Sequence, residues 1–185
     1  MRGTPTAMSL AQKRGNGGFT LIETAIVVVI IAVLAAIAIP VFTSEARSSK
    51  SDAETTAMIT ALSLAEESYK LENGSYLSTG ASETDTWPTA PGPTPQPLAP
   101  HPATWDALKL VSPSDTARCA YVVVAGNPGD PAGAIATADF GYTAPATAPW
   151  FYVLARCDQD NDSAKDGYFF KSNADTTIKS INADN

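Results

Sequence analysis

The sequence has little histidine and few basic residues, on which many enzymes and nucleic-acid-binding proteins depend. It has one histidine, His101, within a proline-rich stretch, and it contains no nucleophile elbow, no P-loop and no pair of histidine ligands. We therefore expect no catalytic activity, because nucleophilic catalysis needs a base placed beside its nucleophile. Basic residues are also scarce, with 12 Lys and Arg against 19 Asp and Glu. This balance argues against nucleic acid as a partner, since phosphate binding needs a basic patch.

One long apolar run stands out in this chain. It covers residues 19–39 and follows a leader whose three basic residues are Arg2, Lys13 and Arg14. As a helix it would be about 30 Å long, enough to span a bilayer. The basic leader places the N-terminus in the cytoplasm and the remainder of the chain outside it. An ordinary secretory signal would have its cleavage site after the run, near residues 35–38, whereas Gly17 and Gly18 stand before it.

A single acidic residue, Glu23, interrupts the run. A carboxylate at the centre of a membrane-spanning helix costs about 2.5–3.5 kcal/mol, and somewhat less near an end. A plain membrane anchor has no use for such a residue. A helix that must pair with another helix does, because a buried charge needs a counter-charge. Glu23 therefore points to assembly.

The hexapeptide Gly-Phe-Thr-Leu-Ile-Glu at residues 18–23, with the apolar run behind it, resembles the signal of type IV prepilins and related pseudopilins. The resemblance implies that prepilin peptidase cuts between Gly18 and Phe19 and methylates the amine of Phe19. It also implies that Glu23 pairs with the Phe19 amine of a neighbouring subunit. Pro40 corresponds to a proline common in this family. The partners implied are other pilin subunits, the peptidase and the assembly machinery of the bacterial inner membrane.

The fold class expected is α+β, the pilin fold, with a long N-terminal helix packed on an antiparallel sheet. We divide the chain into a leader (1–18), a transmembrane or filament-core helix (19–42), an amphipathic second half of that helix (43–74) and a globular head (75–185). Met58, Leu62, Ala65 and Tyr69 form the apolar stripe of the second half. Glu54, Glu66, Glu67 and Lys70 lie off that stripe. Asn73 and Gly74 supply the helix stop.

Two segments of the head, 119–125 and 150–157, have the composition of β-strands. Antiparallel pairing of the two would place Cys119 opposite Cys157, Tyr121 opposite Ala155 and Val123 opposite Val153. We therefore predict a disulfide between Cys119 and Cys157, which an external location permits. Two buried free thiols are the alternative.

Two further segments are predicted to be loops. Residues 78–103 contain too many prolines for a helix or a central strand, and form either a loop wrapped over the head or a mobile insert. Residues 126–148 are rich in Gly, Pro and Ala, and are predicted to be a long loop. His101, within the first segment, is interpreted as a solvated loop histidine.

An acidic segment follows the second predicted strand. Its carboxylates stand at alternating positions: Asp158, Asp160, Asp162 and Asp166. Such spacing suits Ca²⁺, which takes six to eight oxygen ligands. Ser163 replaces the turn glycine of an EF-hand, however, and Phe169 replaces its bidentate glutamate. A Ca²⁺ site and a solvated acidic turn both remain open, and no cofactor is required.

Three functions fit these features. The first is a structural subunit, major or minor, of a type IV pilus that serves adhesion, motility or uptake. The second is a pseudopilin of type II secretion. The third is a membrane-anchored adhesin that does not polymerise. All three place the processed chain in the inner membrane with its head outside the cytoplasm, and the first two move it into a surface pilus or a periplasmic pseudopilus.

Overall fold

A computed structural model describes residues 20–159, 161 and 166–182 of this protein. Helix α1 (Leu21–Asn73) begins the described chain. The elements after it are β1 (Gln96–Pro97), α2 (Ala103–Ala107), β2 (Thr116–Ala117), β3 (Ala120–Gly126), α3 (Ala134–Phe140), β4 (Trp150–Cys157), β5 (Gly167–Ser172) and β6 (Lys179–Ile181). The α+β class predicted from the sequence is confirmed.

The chain divides into two compact units at the boundary between Phe42 and Thr43. In the first unit, no residue of the apolar segment Leu21–Ile39 is buried. The second unit contains the rest of α1, the two other helices and the six strands named above. From here on we call this whole unit the head, so the head now includes residues 43–74 as well as the predicted range 75–185.

The main sheet of the head has four antiparallel strands in the order β3-β4-β5-β6. Tyr121 pairs with Ala155, and Val123 pairs with Val153. The predicted register of β3 and β4 is therefore confirmed. Strand β6 was not predicted, because a three-residue strand of Lys, Ser and Ile carries no alternating pattern long enough to recognise.

Each face of the sheet covers its own hydrophobic core. Alternate residues of a strand point to opposite faces, so Phe151 and Val153 join the cluster that packs on α1, whereas Tyr152 and Leu154 join the other. The second cluster also contains Ala136 of α3. Strand β4 is thus covered on both sides, which explains its continuous apolar sequence.

The prediction of an uninterrupted loop over 126–148 is wrong, because the segment contains α3. That helix ends at Gly141, whose φ of 63° lies in the left-handed region that favours glycine. Prolines and glycines flank α3 on both sides, so composition alone does not predict that these seven residues form a helix. The helix is fixed by packing on the sheet, since so short a helix is not stable alone.

The proline-rich segment 78–103 wraps over the head. The backbones of Trp87 and Tyr121 exchange two hydrogen bonds of 2.8 Å, and the indole Nε1 of Trp87 donates to the carbonyl oxygen of Leu98 at 3.0 Å. Leu98 is buried in the core on the α1 side. The prolines are accommodated because the segment is held by β1, by the single bridge at Trp87 and by scattered backbone hydrogen bonds, and not as a central strand of the sheet.

Candidate assembly site

Helix α1 starts with a reciprocal cap between Thr20 and Glu23. The backbone N–H and the hydroxyl of Thr20 donate to Oε2 of Glu23 at 2.8 and 2.9 Å, and the Glu23 N–H donates back to the Thr20 hydroxyl at 3.3 Å. This arrangement is a capping box, which satisfies backbone donors that the first turn leaves without partners. The Thr-x-x-Glu spacing was the sequence signal for it, and our sequence analysis missed that role of Thr20.

The segment Leu21–Ile39 of α1 is long and apolar enough to cross a membrane, judged by length and composition. It has 19 residues with a mean hydropathy of 2.9, and none of it is buried. Pro40 lies inside α1 immediately after this segment. Gly18 and Phe19, the predicted cleavage residues, lie outside the described residues.

The second half of α1 packs on the sheet through the predicted stripe. Met58 and Leu62 are buried, and Ala65 and Tyr69 pack partly buried against the same core. The predicted stop also holds, because the N–H of Gly74 donates to the carbonyl oxygen of Lys70 at 2.8 Å and Gly74 has a φ of 80°.

The position of Glu66 contradicts our sequence analysis, which placed this residue off the apolar stripe that packs on the sheet. Its side chain is fully buried. One carboxylate oxygen, Oε2, accepts a hydrogen bond from the backbone N–H of Leu77 at 3.0 Å. The other, Oε1, has no hydrogen-bond partner within the described part of the chain. Burial raises the pKa of Glu66 to about 7, against the opposing effect of the Leu77 hydrogen bond, and the nearby Glu67 raises the pKa further.

This raised pKa predicts that the head is more stable in mild acid. In the folded state Glu66 binds its proton up to about pH 7, whereas the unfolded chain releases it near 4.5. The free energy of unfolding should therefore fall as the pH rises from about 4.5 to 7, by on the order of 3 kcal/mol. Glu66→Gln should keep the Leu77 hydrogen bond, remove most of this pH dependence and stabilise the protein at pH 8.

Thermal unfolding of the full chain in mild detergent across this pH range measures the effect. Glu67→Gln is the matched control, because Glu67 is the adjacent residue but is exposed. It should keep the pH dependence, with its upper end at slightly lower pH because Glu67 no longer raises the pKa of Glu66. If Glu66→Gln and the original protein show the same pH dependence, Glu66 is not the titrating group.

Cys119 and Cys157 form a disulfide, with a Cα–Cα distance of 4.4 Å. Both cysteines are buried under α1. The hydroxyl of Thr55 on α1 donates to Sγ of Cys119 at 3.1 Å, and the Ser51 hydroxyl lies 3.4 Å from the same sulfur. The cross-link therefore also forms part of the contact between α1 and the sheet.

The proposed Ca²⁺ ligands fall in a partly described segment. Asp158 and Asp166 are described, whereas Asp160 and Asp162 lie outside the described residues. Nε of Arg156 lies 3.9 Å from Oδ2 of Asp166, so a positive charge already stands beside one proposed ligand. The described residues contain no group of three or more His, Cys, Asp or Glu side chains able to hold a metal. The Ca²⁺ site stays a prediction.

Glu83 is a buried carboxylate that the sequence analysis missed. Its Oε2 accepts the N–H of Ile135 at 2.8 Å, and its Oε1 accepts the N–H of Ala136 at 2.9 Å and the Tyr152 hydroxyl at 3.0 Å. These bonds join the proline-rich segment to the start of α3 and to β4. Nothing in the sequence around Glu83 indicates these partners, which lie about 50 or more residues away.

His101 is half-buried rather than fully solvated. Its ring stacks on Trp105 with the ring centroids 6.0 Å apart, and its Nδ1 lies 3.7 Å from Oδ1 of Asp106. A structural role for the ring fits these contacts. The absence of a catalytic role stays a prediction.

Comparison with known proteins adds one finding. The family model described as the prokaryotic N-terminal methylation motif matches residues 13–39, and this motif is the signature of type IV prepilins. No curated protein and no solved structure matches the chain. The matched stretch contains Gly18, Phe19, Glu23 and the apolar segment, and it ends one residue before Pro40.

Proposed function

We propose that this prepilin-type protein is a structural subunit, major or minor, of a type IV pilus. The observation that carries the proposal is the methylation motif, placed at the start of the apolar segment Leu21–Ile39 of α1, none of which is buried. Proteins with this motif are structural rather than enzymatic. In the membrane, lipid covers the segment Leu21–Ile39. In a filament, the same segments of neighbouring subunits would cover one another.

Glu23 is suited to guide that assembly. Both of its hydrogen bonds from Thr20 end on Oε2, and within the described residues no bond ends on Oε1. The cap thus fixes the carboxylate at the first turn and leaves one oxygen to accept the Phe19 amine of a neighbouring subunit. A charge-assisted bond of this kind is stronger than a neutral one and is strengthened further by an apolar surrounding.

The proposal includes a location and a set of partners. Prepilin peptidase would remove residues 1–18 at the cytoplasmic face of the inner membrane, and the assembly machinery there would move the subunit into the pilus. The head would lie outside the cytoplasm, where adhesion, motility or uptake takes place. No nucleic acid and no cofactor is required, and a Ca²⁺ site at Asp158, Asp160, Asp162 and Asp166 is kept as a proposal.

Glu23→Ala and Glu23→Gln together test the role of the charge. Both variants should be processed normally, because the cleavage site is unchanged. Both should enter filaments at least about tenfold less well than the original chain, a factor that corresponds to about 1.4 kcal/mol. Glu23→Gln retains an acceptor for the hydrogen bonds from Thr20. Poor incorporation of this variant would therefore be due to the lost charge and not to loss of the cap.

Quantitative immunoblots of sheared surface filaments, with whole-cell protein as the reference, measure incorporation. Normal incorporation of Glu23→Gln would show that the cap and apolar packing suffice. Finding the original chain in the envelope but never in sheared fibres would favour the pseudopilin or the non-polymerising adhesin.

A further inference from the structure

A groove lies beside α3, on the side of the sheet that faces away from α1. It has a volume of about 380 Å³ and is lined by the loop 129–132, by Thr137 of α3 and by residues of the segment 142–146. Tyr142, which lines it, belongs to the hydrophobic cluster on the side of the sheet away from α1. A groove of this size falls within the range of small-molecule sites, about 300–1,000 Å³. We call it the α3 groove.

Hydrogen bonds within the chain hold the two loops of the α3 groove together. The N–H of Gly129 donates to the carbonyl oxygen of Pro145 at 3.2 Å and joins one loop to the other. The N–H of Tyr142 donates to the carbonyl oxygen of Ala136 at 2.9 Å and fixes the second loop to α3. The shape of the groove is therefore set by the fold of the head itself.

Tyr142 carries a polar atom that the fold does not satisfy. The residue is only 8% exposed, and its ring centroid lies 5.4 Å from those of Tyr152 and Phe170. Its hydroxyl oxygen is buried and has no hydrogen-bond partner among the residues that the structure describes. Burial raises the pKa of Tyr142 to about 12, so the hydroxyl keeps its proton and remains a donor. A buried hydroxyl without a partner is rare in folded proteins and calls for an explanation.

The other polar groups of the α3 groove can still form hydrogen bonds. Oδ2 of Asp130 accepts the N–H of Asn127 at 2.8 Å, whereas no bond ends on Oδ1 within the described chain. The Thr137 hydroxyl donates to the carbonyl oxygen of Gly133 at 2.8 Å and is free to accept a bond. Thr143 is exposed, and its hydroxyl can donate or accept. The groove thus presents both acceptors and donors.

The remaining lining residues narrow the class of ligand. Among the described residues that line the groove, none is Lys, Arg or His, so an anion would find no counter-charge. Asp130 is the single carboxylate among them, too few for Ca²⁺, which takes six to eight oxygen ligands. The rest are apolar and suit C–H surfaces: Pro131, Ala132, Ala144 and Ala146. A neutral ligand that combines hydroxyl groups with C–H faces matches this lining, and such a ligand is a saccharide.

We propose that the α3 groove binds a neutral saccharide. Oδ1 of Asp130 would accept a bond from one sugar hydroxyl, and the Tyr142 hydroxyl would donate to another sugar oxygen. Because that hydroxyl is covered in the free protein, the Tyr142 ring would tilt toward the groove on binding. The groove lies on the other side of the sheet from α1, so binding and assembly through α1 do not compete. Use of the site for adhesion rests on the proposed function, whereas the binding itself does not.

Titration of the purified full-length chain with methyl glycosides of neutral hexoses and N-acetylhexosamines tests the proposal. The detergent must have no sugar head group, because such a group would compete for the site. At least one glycoside should bind, and Asp130→Asn and Tyr142→Phe should each raise its Kd at least about tenfold. Asp139→Asn and Tyr168→Phe are the matched controls and should bind like the original chain. Asp139 is exposed, Tyr168 is partly buried in the same cluster as Tyr142, and neither lines the groove.

The stability of Tyr142→Phe distinguishes a binding role of the hydroxyl from a structural one. Because the hydroxyl has no partner in the described chain, its removal should leave the melting temperature of the ligand-free protein unchanged or raise it. A clear fall in melting temperature would show that the hydroxyl already has a partner in the free protein, such as a buried water, and would overturn its assignment to a ligand.

Absence of binding by every glycoside, or equal Kd values for Asp130→Asn and Asp139→Asn, would overturn the saccharide site. Stronger binding of a methyl glucuronide than of the neutral glycosides would overturn the choice of a neutral ligand. These measurements use purified protein, so either result would leave the proposed function intact. Conversely, absence of the original chain from all filaments would overturn the proposed function and leave the saccharide site in place.

Discussion

Gly18→Val should leave every molecule as the uncleaved precursor. A peptidase must bring its reactive groups close to the backbone it cuts, and a β-branched side chain at the cleaved residue blocks an approach that glycine permits. An uncleaved chain would keep the basic leader in the cytoplasm and would have no free Phe19 amine to pair with Glu23. We therefore expect no filaments from this variant.

Intact-mass spectrometry of membrane extracts measures the result. The original protein should match a chain that starts at Phe19 and carries one additional methyl group, and Gly18→Val should match the full-length precursor. Gly17→Val is the matched control, because it changes a neighbouring glycine outside the cut bond and should still be processed. A mature N-terminus near Ala38 in the original protein would contradict the prepilin interpretation and favour an ordinary secretory signal.

Loss of the disulfide should cause the largest change in stability. Changing both cysteines to serine, Cys119→Ser with Cys157→Ser, frees a segment with a sequence separation of 38. The chain-entropy model assigns about 3–4 kcal/mol to closing a loop of this length. Since a domain is typically stable by only about 5–15 kcal/mol, the head would lose a large part of its free energy of unfolding. Urea titration of both proteins in mild detergent measures the difference.

Ser51→Ala tests the packing of the disulfide against α1 separately from the disulfide bond itself. This variant removes one hydroxyl contact with the sulfur and keeps the disulfide, so it should cost no more than about 1 kcal/mol. Denatured but unreduced protein should contain no thiol that reacts with a maleimide. Reactive thiols in that assay, or coinciding urea midpoints for the double variant and the original protein, would favour two buried free thiols instead.

Local patterns determined much of this fold. The apolar run predicted the membrane-length segment of α1, and the spacing of Met58, Leu62, Ala65 and Tyr69 predicted the face of α1 that packs on the sheet. The register of β3 on β4 followed from two apolar strands with a cysteine at opposite ends. These predictions succeeded because each depends on the periodicity of one element, or on a covalent link that only one register allows.

By itself, then, the sequence determined the prepilin motif, the α+β class, the long helix and the disulfide-linked strands. Only the tertiary structure showed that two carboxylates are buried, and which groups donate hydrogen bonds to them. Glu66 is buried against the N–H of Leu77, 11 residues away, and Glu83 meets the N–H groups of α3, more than 50 residues away. A carboxylate is buried only where backbone donors or a proton compensate for the water it loses. Periodicity describes one element at a time, so it cannot show which donors another element brings to a side chain.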